Sequence, residues 1–221
     1  MNGLTRKLVA EFGGTAALVC IVVGSGIMGT NLSNDNGIAL LINTISTIFG
    51  LALLILILGP VSGAHFNPAV TLVMFAQRAI ELKAAIGYMV MQILGAIGGA
   101  ILANVMFDLA AVQISQHARV STGTLVAEAI ATAGLIVVIQ VFVARQNANH
   151  VAIAVAAWIG SACFFTASTS FANPAVTIGR TFTDTFAGIA PASILPFIAA
   201  QLVGAAIGLA IAKTLTDNKV D

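Results

Sequence analysis

The stretch Ser62-Gly63-Ala64-His65-Phe66-Asn67-Pro68-Ala69-Val70-Thr71 contains a helix start, and Asn173-Pro174-Ala175-Val176-Thr177 repeats it. Asn is among the best N-cap residues, and proline suits the first helical position because its missing N–H has no partner there anyway. An apolar stretch follows each motif, at about 68–77 and 174–183. Neither is long enough to cross a hydrocarbon core of about 30 Å. Two helices are therefore expected to begin part way through their surroundings.

The rest of the chain identifies those surroundings as lipid. Of 221 residues, 59% are hydrophobic and only 8% charged, against about 25% charged in soluble domains. The mean hydropathy of +1.04 comes from separate apolar runs broken by short polar loops. Six runs, approximately 8–29, 38–59, 82–107, 123–144, 151–168 and 191–213, have about the length needed to span a bilayer. The fold class expected is an all-α membrane protein of six transmembrane helices and two re-entrant half-helices. The first run follows Arg6 and Lys7 as a signal peptide would, but its length and the lack of a small-residue cleavage site favour a retained helix. With six crossings, Arg6, Lys7, Arg78, Lys83, Arg145, Lys213 and Lys219 share one side and only Arg119 and Arg180 take the other. This bias predicts that both termini are cytoplasmic. The net charge of +1 points to no nucleic acid or strongly charged partner.

The two halves, approximately 1–115 and 120–221, carry matching signatures. Leu8-Val9-Ala10-Glu11 with Thr15 answers to Leu125-Val126-Ala127-Glu128 with Thr132, and Gln92-Ile93-Leu94-Gly95-Ala96 answers to Gln201-Leu202-Val203-Gly204-Ala205. Three crossings separate the copies, so they lie in opposite orientations, the inverted-repeat plan that puts a transport site near the midplane. The two Asn-Pro-Ala starts then meet head to head. Their half-helix dipoles repel cations, and the amides of Asn67 and Asn173 have hydrogens to offer a passing oxygen.

Glu11 and Glu128 are costly inside a membrane. They are either proton-coupling groups or buried acceptors for loop N–H groups, and their symmetric placement ahead of each Asn-Pro-Ala favours the second. His65 reads as a pore-wall histidine, with pH gating as the alternative. Gly95, Gly98, Gly99, Gly204 and Gly208 are expected to allow close helix approach. Cys20 and Cys163 read as packing residues. No metal-ligand cluster, cofactor motif or nucleophile–base pair appears, so neither a cofactor nor an enzyme activity is expected.

The 62–71 stretch, Ala10-Glu11-Phe12 with Gly14-Thr15, and the second Asn-Pro-Ala together resemble the aquaporin (major intrinsic protein) family over nearly the whole chain. The resemblance implies a passive channel and a homotetramer in the lipid bilayer. Each protomer would hold its own pore, lined by backbone carbonyls of residues 63–66 and 169–172, with Glu11 and Glu128 bracing the loops. Most family members have Arg three residues after the second Asn, where this chain has Val176. By the family's spacing, the other filter positions are Thr47, Ser161 and Ser170. Such a filter is small, uncharged and wide, implying passage of water, glycerol, urea and metalloid species such as arsenite or organoarsenicals. Similar Arg-less sequences occur among bacterial channels associated with arsenic resistance, which implies a bacterial inner membrane. Arg180 lies one turn beyond Val176, lining the vestibule, capping the half-helix end or binding a loop carbonyl, with Asp184 as a candidate partner. A proton- or ion-coupled transporter using Glu11 and Glu128 is the alternative reading.

Overall fold

The computed structural model describes residues 3–145 and 148–216, so Lys219 lies outside the described residues. The helices are α1 (Gly3–Leu32), α2 (Asn36–Ser62), α3 (Pro68–Ala76), α4 (Leu82–Met106), α5 (Thr122–Ala144), α6 (Ala148–Phe165), α7 (Pro174–Gly179) and α8 (Ile194–Thr216). Short 3-10 turns cover Arg180–Phe182 and Pro191–Ser193. Among the described residues no strand occurs. Among the described residues, five helices are both long and apolar enough to cross a membrane, while the 18 residues of α6 reach about 27 Å.

The predicted end of the fifth run shifts. Residues 166–168 leave the helix, which closes at Phe165 with both the amide and the hydroxyl of Thr166 donating to the Ala162 carbonyl. Residues 180–183 also leave the second half-helix, because α7 tightens into a 3-10 turn after Gly179.

Helix α1 packs along α4, and α5 packs along α8. Small residues set both distances. A Cβ on Gly95 or Gly99 would meet the carbonyl oxygens of Phe12 and Ala16 at 2.4 and 2.2 Å. One on Gly204 or Gly208 would meet those of Ala129 and Ala133 at 2.3 and 2.4 Å. Gly98 departs from expectation: it faces open space and brings no helix closer. The half-helices α3 and α7 both pack between α4 and α8, and they touch each other. Large apolar side chains such as Phe49, Leu53, Ile153 and Leu195 are exposed on the outer helix faces, the pattern of a surface solvated by hydrocarbon.

Candidate functional site

Chain ordering at the centre starts from the two buried glutamates. Glu11 Oε1 accepts from Ser62 Oγ at 2.6 Å and His65 N at 3.0 Å; its Oε2 accepts from Phe66 N and Gln92 Nε2, each at 2.8 Å. Glu128 accepts from Phe171 N and Ala172 N at 2.9 Å and from Gln201 Nε2 at 2.7 Å. Gln92 and Gln201 also donate to Thr71 and Thr177, tying each carboxylate to its half-helix. These threonines belong to the repeated motif, which is the signal by which sequence reasoning could have assigned them.

The loops thus held have left-handed backbone at Gly63, Ala64 and Phe66 and at Thr169, Ser170 and Ala172. For all but glycine this conformation is costly, and charge-assisted bonds to the glutamates hold it. A trans peptide points its C=O opposite its N–H. With the amides of His65, Phe66, Phe171 and Ala172 turned to the carboxylates, the carbonyls of Ala64, His65, Ser170 and Phe171 are turned away from them. Residues 63–66 and 169–172 all line one cavity of about 490 Å³.

That cavity extends from Asn43 and Arg180 at one end to Val143 and Val151 at the other, passing Asn67 and Asn173. Asn67 Oδ1 caps Ala69 N at 2.9 Å, and Asn173 Oδ1 caps Ala175 N at 2.9 Å, so both prolines occupy the first helical turn as read from sequence. Pro68, Ala69, Pro174 and Ala175 are buried behind the cavity wall. Each asparagine amide also crosses the junction. Asn67 Nδ2 donates to the Ala172 carbonyl at 2.8 Å, and Asn173 Nδ2 donates to the Phe66 carbonyl at 2.7 Å. An NH₂ has two hydrogens, so one on each amide is left for the cavity.

Thr47, Ser170, Val176 and His65 are buried and line the cavity. Ser161 does not: it is exposed, and Ile159 and Cys163 of α6 line the cavity instead. Two residues along a helix turn about 200°, so Ser161 and Cys163 face opposite ways. Between α6 and the second Asn-Pro-Ala lies the irregular segment 166–173, where helical register is lost. Cys163, a packing residue by sequence, lines the cavity because of the register of α6, which no local pattern signals.

Arg180 follows α7 directly. Buried and lining the cavity, it donates from Nε to the Ala187 carbonyl, and its Cζ lies 3.5 Å from the Phe171 ring centroid. Asp184 is not its partner; that carboxylate accepts from Gln116 N at 2.8 Å and lies 3.8 Å from His117. Arg119, unassigned from sequence, holds the same loop through the carbonyls of Gly188 at 2.6 Å and Phe186 at 2.9 Å. It sits 5.4 Å from the Phe171 centroid and does not line the cavity. Burial in the loop lowers its pKa below the ordinary arginine value, with the charge of Glu128 opposing. Glu11 and Glu128 do not line the cavity either.

Comparison with known proteins places this geometry in a family context. The family model described as Major intrinsic protein matches residues 2–170. Aquaglyceroporin AqpS of Rhizobium meliloti (strain 1021) is 44% identical over 212 residues, covering 96% of this chain and 91% of that protein. Glycerol uptake facilitator protein-like 6 of Lactiplantibacillus plantarum is 39% identical over 94 residues, covering 42% of this chain and 39% of that protein. Among solved structures, the aquaglyceroporin from Plasmodium falciparum superposes with a TM-score of 0.68 at 23% identity, over 98% of this chain and 97% of that one.

Proposed function

This chain belongs to the major intrinsic protein family, and from that premise we propose a passive channel with a widened filter for small uncharged solutes. Water, glycerol and urea are its cargo, with arsenite and related metalloid species in the same size and charge class. The observation that carries the proposal is the cavity wall beside the second asparagine turn. Val176, Ser170, Thr47 and Cys163 line it there, and none of these four is large or charged, while Phe171 and Arg180 on the same wall are held against each other. An aquaglyceroporin relative at 44% identity supports a cargo larger than water.

Coupled transport through Glu11 and Glu128 has less support. Each carboxylate has at least three donors and no frontage on the cavity, so protonating it would strand buried N–H groups. We assign these residues to bracing the loops. Two inverted halves, 1–115 and 120–221, would form one channel domain, assembled as a homotetramer in a bacterial inner membrane with cytoplasmic termini.

Stopped-flow shrinking and swelling of proteoliposomes tests the reading, using water, glycerol, urea and arsenite. Permeation by water alone would sink the wide-filter proposal. In V176R the larger solutes are expected to lose flux before water does. Equal loss for every solute would remove Val176 from the filter.

A further inference from the structure

The guanidinium of Arg180 is fixed on two sides and open on a third. Its Nε donates to the Ala187 carbonyl and its Cζ lies over Phe171, 3.5 Å from the ring centroid. Among the described residues, neither Nη donates a hydrogen bond, neither is sealed from solvent, and no carboxylate pairs with the side chain. Yet the residue is only 7% exposed, and it lines the cavity. A buried charge ordinarily has a counter-charge or a full set of hydrogen bonds. Here the missing partner has room to arrive through the passage.

Two Nη groups on one rigid plane match the two oxygens of a carboxylate or similar oxyacid. Because Phe171 and the Ala187 carbonyl already order the side chain, little rotamer entropy is lost when a solute docks. Val176, one turn below, ends in two methyl groups, so a solute held at Arg180 still has a path past it.

We propose that Arg180 is a recognition point for small oxyacids, giving this channel a second class of cargo beside neutral solutes. The inference rests on the passive-channel reading above. Glycolate and ethylene glycol form a suitable probe pair, because they share size and differ in the carboxylate.

Influx of each is measured in proteoliposomes near neutral pH, where glycolate is ionised, with potassium and valinomycin clamping the membrane potential. The native channel is expected to carry glycolate well above protein-free vesicles, and glycolate is expected to slow ethylene glycol entry by competition. The glycolate-to-ethylene glycol flux ratio should fall about tenfold or more in R180M, while R180K retains part of it. R119M loosens the same loop from outside the cavity and should move the ratio by less than R180M does.

Ethylene glycol flux with glycolate at background in the native protein overturns the oxyacid site alone. A ratio unmoved in R180M, or moved as far by R119M, also overturns it. Absence of ethylene glycol flux overturns the channel reading and the inference with it. If R180M fails to insert, the native competition measurement and R180K decide.

Discussion

At the turn before α3, the ring beside the passage is His65, set edge-on to Tyr88 with centroids 5.2 Å apart; before α7 it is Phe171, edge-on to Phe197 at 5.3 Å. One turn into each half-helix stands a valine, Val70 or Val176, and one turn further Met74 faces the cavity in the first copy and Arg180 in the second. Behind these rings the two copies share one frame of carboxylate, glutamine and threonine. The groups that hold backbone in place have stayed alike, while those that meet solute have diverged. Bracing requires particular donors and acceptors at fixed distances; a cavity wall requires only a side chain of some size and charge.

The frame gives the largest expected effects. Replacing Glu11 by Ala strands four donors and replacing Glu128 by Ala strands three. Each should cost about 3–5 kcal/mol, with E11A the worse, as measured by unfolding in detergent micelles. The opposite order would show that the two frames are not equivalent.

Next come the close approaches. A Cβ on Gly14 would overlap the Phe66 ring at 2.0 Å, whereas Ala131 and Ala172 occupy the corresponding places in the second copy. G14A should therefore cost about 1–3 kcal/mol. Measured within an F66A background, which copies the second half, the penalty of G14A should be partly recovered, because the ring its Cβ would meet is gone. No recovery would mean that steric overlap is not the cause. Within α4, G99A should destabilise by a similar amount, and G98A, facing open space, should stay within about 0.5 kcal/mol.

The smallest effects belong to the rings. H65F makes the first turn more like the second and removes the 3.1 Å contact between His65 Nδ1 and Thr71 Oγ1. Glycerol flux is expected to change by less than about threefold, since the carbonyls lining the passage are set by Glu11. A larger change, or a pH-dependent flux in the native channel that H65F abolishes, would assign His65 to gating.

The frame was legible in the sequence because its members repeat: Glu11 with Glu128, Gln92 with Gln201, and the two Asn-Pro-Ala turns are visible without coordinates. Helix caps are local, so the starts at Pro68 and Pro174 were readable too. The cavity wall was less so. Ser161 and Cys163 are two residues apart, and only the register of α6 decides which faces solute. Irregular backbone from 166 to 173 hides that register. Arg180 allowed two orientations because its environment depends on Ala187 and Phe171, an incoming loop and a ring whose positions no local pattern encodes.

The reciprocal bonds of Asn67 and Asn173 also bear on how the protein is made. They join residues 105 and 107 positions apart, and each supports the other half's loop. When the ribosome has delivered α3, the carbonyl that Asn67 must grip at Ala172 does not yet exist. The first re-entrant turn therefore waits, incompletely tied, through three further crossings. Closure of the first turn and closure of the second depend on each other, so the passage is complete only when both halves are in place.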